Sequence, residues 1–174
     1  MAGQLVQVAT ETVTSAVASV TLTGIDSDDV YMVAMNNVQL DTDTKSIHIR
    51  FTVSGTAQST ANYDYVNKVF RSNTSYQDES ATNQVQAYIN SHTGTGTGTG
   101  ETSQAILYLY NLNNSSEYSF LTKEQVTVDF NARLIGGQGG AVYTVAEAHN
   151  GIHFLLSSTG NIASGTFTLY ALKK

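Results

Sequence analysis

Apolar residues recur at every second position over much of this chain, and that period constrains the fold more than any other feature. Ile47, Ile49, Phe51 and Val53 alternate with His48, Arg50 and Thr52. A period of two places the first set on one face of a strand and the second, including an outward His48 beside Arg50, on the other. Val126, Val128, Phe130, Ala132 and Leu134 repeat the pattern with Thr127, Asp129, Asn131 and Arg133 outward, and Phe167, Leu169 and Ala171 repeat it near the C-terminus. Residues 18–23, 30–38, 63–70, 85–89, 105–110, 141–148 and 152–156 read as further strands, rich in the β-branched and aromatic residues that suit a pleated surface. Helical spacing is weak. Its best candidates are residues 4–20, dominated by Thr and Val, and residues 80–89. Many short strands without crossover helices predict an all-β protein, an antiparallel jelly-roll-like β-sandwich with little helix. Residues 23–174 form its single domain, and residues 1–22 are either an N-terminal arm or an edge strand.

Glycine marks the expected turns. Asn150-Gly151 lies between two β-like runs and predicts a tight hairpin, since both central residues of such a turn need positive φ. That hairpin sends His149 and His153 to opposite faces, which denies them a shared metal. Gly136-Gly137-Gln138-Gly139-Gly140 separates two further runs. The Thr-Gly tract of residues 93–100, which His92 opens, reads as a mobile surface loop. It leads into a strand, whereas a phosphate cradle needs a helix there.

The 174 residues carry 8 Lys+Arg against 14 Asp+Glu, a formal net charge of −6. That balance argues against nucleic acid and against an anionic membrane as partners. The N-terminus has no basic, apolar leader pattern, and no apolar run approaches the ~20 residues of a membrane span. With no cysteine, disulfides, thiolate metal sites and cysteine nucleophiles are excluded. Charged residues make up only 13 %, their place taken by Thr, Ser, Asn, Gln and Gly. Neutral polar faces of this kind suit burial against another subunit, where desolvating charge is costly.

Residue patterns for chemistry are sparse, and they point to no catalytic residue, cofactor or metal. Asp26-Ser27-Asp28-Asp29 and Asp41-Thr42-Asp43 are acidic turns without the ligand spacing of a calcium loop. No GxSxG elbow accompanies the serines, and Glu101, Glu117, Glu124 and Glu147 are scattered. Tyr63, Tyr65, Tyr88, Tyr108 and Tyr110 supply either a sugar-stacking platform or core and interface aromatics.

The segment Ser157-Ser158-Thr159-Gly160-Asn161-Ile162-Ala163-Ser164-Gly165-Thr166-Phe167-Thr168-Leu169-Tyr170 resembles the closing strands of virion structural proteins of tailed bacteriophages, especially marine ones. There a Gly/Asn turn is followed by SG-x-F-x-LYG, and Ala171 stands here where glycine is usual. Tyr31, Ile47-His48-Ile49-Arg50-Phe51 and Asn62-Tyr63-x-Tyr65 resemble the earlier part of the same pattern, so the likeness runs from about Val30 onward. It implies a jelly-roll sandwich serving as a capsid decoration or cement protein, with a tail or fibre component as the alternative. It also implies a virion location after synthesis in a bacterial cytoplasm. The partners so implied are further copies of the chain, as a homotrimer, and the major capsid protein. A carbohydrate-binding jelly-roll module and a β-rich hydrolase are the competing classes. The motifs are structural and supply no site residues.

Overall fold

The computed structural model describes residues 3–73, 75–90 and 94–173. Among them are thirteen strands and no helix: β1 (Gln4–Val13), β2 (Ser19–Thr23), β3 (Tyr31–Leu40), β4 (Ile47–Val53), β5 (Thr56–Ala57), β6 (Tyr63–Arg71), β7 (Tyr76–Gln84), β8 (Ala87–Tyr88), β9 (Ser103–Tyr110), β10 (Ser119–Val128), β11 (Leu134–Tyr143), β12 (Gly151–Leu156) and β13 (Ile162–Lys173). All pairings are antiparallel.

The winding is that of a jelly roll with two insertions. First pairs with last in nested order: β1 with β13, β2 with β12, β3 with β9, and β4 with β8. This is one long antiparallel ribbon wrapped into two sheets. The insertion between β4 and β8 supplies β5, β6 and β7, and that between β9 and β12 supplies β10 and β11. Four of these inserted strands lengthen one sheet to eight, in the order β1-β13-β3-β9-β10-β11-β6-β7. The other sheet runs β2-β12-β4-β5, with β8 also on β4. Between the sheets lie Tyr31, Val33, Ile49, Phe51, Leu107, Phe154, Phe167 and Leu169, all fully buried.

Four expected features are corrected. The proposed strand over residues 126–134 is broken by a turn at 129–133. There the buried Asp129 carboxylate accepts the backbone N–H of Asn131 (2.9 Å) and Arg133 (3.0 Å) and pairs with the Arg133 guanidinium (2.6 Å). Residues 136–140 are no separator. They form the middle of β11, where close packing excludes side chains: a Cβ on Gly139 would stand 2.3 Å from the Val66 carbonyl oxygen. Asn150-Gly151 makes no hairpin, because residues 144–150 are loop and Gly151 enters the small sheet between β2 and β4. Glycine is required there by close approach, since a Cβ would stand 2.3 Å from the Leu22 carbonyl oxygen. The Thr-Gly tract is only partly a surface loop. Gly94, Thr95 and Gly96 are buried, and Thr95 Oγ1 shares hydrogen bonds with Asn90, Ser103 and Thr127. His92 and Thr93 lie outside the described residues.

Candidate functional site

The broadest feature of the surface is the outer face of the eight-stranded sheet. Strand pairing brings Met32, Ala34, Ile106, Tyr108, Phe120, Val126, Val66 and Phe70 to this one side. Several stand well out, with Val66 62 %, Ile106 43 %, Phe120 43 % and Val126 40 % exposed. Strand β10 shows the inversion most clearly. Ser119, Lys123, Gln125 and Thr127 face inward with Leu121, while Phe120, Thr122, Glu124 and Val126 face solvent. Between the ridges run shallow grooves. One of about 700 Å³ crosses β13, β3, β9 and β10 between Thr168, Ala34, Ile106 and Val126. Another of about 720 Å³ lies over Gly140, between Val66 and Phe120. Charge is scarce: Glu124 stands near the middle, and Asp64 and the Lys68–Asp78 ion pair (2.6 Å) lie on β6 and β7. The small sheet is more polar outward, with Ser19, Thr21, Thr23, Arg50 and His153 beside Leu155.

A Ser-His-Glu constellation does exist, and its position denies it substrate. Ser119 Oγ lies 2.8 Å from His149 Nδ1, and His149 Nε2 lies 3.5 Å from Glu147 Oε1. Ser119 and His149 are both fully buried, and the imidazole packs between Phe51 and Tyr143. Burial lowers the His149 pKa, with Glu147 pulling it the other way. A nucleophile needs access to its acyl partner, which this Oγ lacks. Its hydrogen bond instead ties β10 to the loop before β12. Sequence reasoning missed it because Ser119 and His149 are thirty residues apart.

A second polar cluster surrounds Lys123, which is 5 % exposed. Its Nζ donates to the carbonyls of Tyr88 (2.7 Å) and Ile89 (2.6 Å), capping backbone acceptors at the edge of the small sheet. Burial pushes its pKa down to about 7, and Glu79 opposes that shift. Lys123, Gly139, Asn67 and Glu79 occupy one row across β10, β11, β6 and β7.

The other sequence candidates disperse. His48 is buried against Tyr88, ring centres 4.0 Å apart, rather than outward, because the lengthened sheet brings Tyr65 against Tyr88 on that side. His153 accepts or donates at Thr21 Oγ1 (2.7 Å) on the outward side of the small sheet, whereas His149 is buried. Tyr63 is a core residue whose OH accepts the Phe51 N–H (2.8 Å) and donates to the Gln58 carbonyl (3.2 Å). Tyr65 and Tyr88 pack edge to face, whereas Tyr108 stands on the outer face. The acidic turns are tied locally, Asp29 to Lys173 (2.8 Å) and Asp41 to the Asn161 backbone and side-chain amides (2.7 and 2.8 Å). Among the described residues no three His, Asp or Glu side chains converge as a metal site.

No family model and no curated protein matches the chain. Among solved structures, it is similar to that of the infectious bursal disease virus Gt strain at a TM-score of 0.18 and 11 % identity, over 99 % of this chain and 40 % of that one. The VP2 subviral particle of the same virus gives 0.13 and 11 %, over 98 % and 41 %. The chain spans about two fifths of those proteins. Likenesses this faint carry no argument, so the functional reading rests on the chain's own surface and sequence.

Proposed function

We propose that this chain is a non-enzymatic structural protein of a bacteriophage virion, a decoration or cement subunit that attaches to the major capsid protein as a homo-oligomer. The broad outer face of the eight-stranded sheet, with its exposed apolar side chains and few charges, carries the reading. Large apolar side chains exposed together on one face mark interaction sites. The inserted strands β6, β7, β10 and β11 build half of that face, so the elaboration of the jelly roll went into surface area. The sealed Ser119–His149 pair supports attachment over turnover as the mode of action. The sequence likeness of residues 157–170, 47–51 and 62–65 to tailed-phage virion proteins supports the choice of assembly. Weak single contacts suffice for such a role, because linked copies bind with avidity. Immunogold labelling of intact particles with antibody to the purified chain tests the assignment. Label over the head is expected. Label on the tail alone moves the chain to a tail or fibre role, and unlabelled particles reject the virion reading.

A further inference from the structure

We infer that the outer face of the eight-stranded sheet is the surface on which one copy of this chain seats a second copy, an inference that rests on the oligomeric reading above. The large exposed apolar residues on β6, β9 and β10 gather on this side, while the outward positions of the small sheet are mostly Ser, Thr, His and Arg, with Leu155 among them. Its extent suffices for a stable contact. Eight strands about 4.8 Å apart and roughly eight residues long at about 3.3 Å per residue cover about 1,000 Å². A second copy laid over it then buries about 2,000 Å² in total, at the upper end of standard interfaces and the start of the obligate range. Charge selects the same occupant. With a net charge of −6, two copies repel over most of their surfaces. Here charge is sparse, with Glu124 near the centre and Asp64 and the Lys68–Asp78 pair towards one side, so most of the face is covered by a copy at little cost in desolvation. The relief matches as well, because ridges at Ile106, Phe120 and Val126 adjoin grooves over Ala34 and Gly140 that receive such ridges from a copy. Sheets stack face to face in this way at about 10 Å. The edge strand β7 is unsuited to the alternative of strand addition, since it carries Asp78 and Glu79.

The test is the native mass of the full chain by light scattering, with Ile106→Lys/Val126→Lys as the variant. Residue 106 lies directly opposite Glu124 on the neighbouring strand, so the new lysine pairs with it and the fold is retained. The wild type is expected at an even multiple of the 18.6 kDa chain, and the variant at single-chain mass with an unchanged circular dichroism spectrum. A second readout covers a variant that misfolds. The chain has no cysteine, so Thr122→Cys reports on this face and Thr23→Cys on the small sheet. Thr122→Cys should react with a maleimide severalfold more slowly than Thr23→Cys, and the gap should close on dilution. A wild type of single-chain mass overturns the inference, as does equal labelling of the two cysteines in an assembled wild type. Assembly through this face without any binding to phage heads upholds the inference and removes the virion assignment instead.

Discussion

Replacing Lys123 with Met should flatten the dependence of stability on pH. The ammonium stem lies inside the sandwich with its Nζ on the Tyr88 and Ile89 carbonyls, and burial brings its pKa from 10.5 down to about 7. An unfolded chain binds the Lys123 proton below about 10.5, whereas the folded chain binds it only below about 7. Between those values the unfolded state holds more protons, so stability rises with pH. Integrating that difference from about pH 7 to about pH 9 gives about 2 kcal/mol at ~1.36 kcal/mol per unit. Tyr65, pushed up to about 12 by burial, and Tyr63, pushed up further, stay protonated through this window in the folded state. They reverse the trend only above about pH 10, where unfolded tyrosine ionises. Met keeps the apolar length of the stem and has no proton to lose. It also leaves two carbonyls without their donor, a cost of about 1–3 kcal/mol that is independent of pH. Urea unfolding of both proteins across the window reads the slopes directly. Parallel profiles would refute the reasoning, because they would mean that Lys123 keeps its proton on folding.

Three further outcomes follow from the same packing. Asp129→Ala removes the buried acceptor of the β10–β11 turn and strands Arg133, and should cost about 3–5 kcal/mol by urea unfolding. Since the Asp129 pKa is lowered by the Arg133 and Asn131 hydrogen bonds against the opposing effect of burial, its contribution is present above the ordinary carboxylate pKa and is lost as pH falls through the folded value. Gly151→Ala should cost about 1–3 kcal/mol by thermal melting, from collision with the Leu22 carbonyl and Thr52 Oγ1 rather than from backbone strain. Deleting residues 1–16 removes β1, bares the edge of β13 and uncovers the core around Val13, so the truncated chain should lose its cooperative melt; a truncated chain that still melts cooperatively would make the segment a detachable arm.

The strand content was legible because alternation survives wherever one face meets the core. Ile47, Ile49 and Phe51 lie inward in β4 as their spacing requires. Faces were less legible, since period-two reasoning assumes that the second face meets water. His48 is buried because Tyr88 covers the outer side of β4. In β10 the alternating Val126 pointed to the wrong side, because the outer face of this sheet is itself apolar and the inner face holds Lys123, Gln125 and Thr127. Glycine misled for a related reason. Its low strand propensity makes residues 136–140 read as a turn, yet Gly137 and Gly139 sit where the Gln125 and Asn67 side chains leave no room for a Cβ. The outer face was legible only as a composition, few charges among many neutral polar residues. Its location needed the pairing of β3 with β9 and of β11 with β6, strands far apart in the chain.

The central claim, that this chain is a virion part acting by attachment in many copies, is tested most directly by counting it. Quantitative mass spectrometry of particles purified from a phage to which the chain is assigned should find it in numbers comparable to the major capsid protein and in a fixed ratio to it. Its absence from washed particles, or its presence only in variable traces, would contradict the claim.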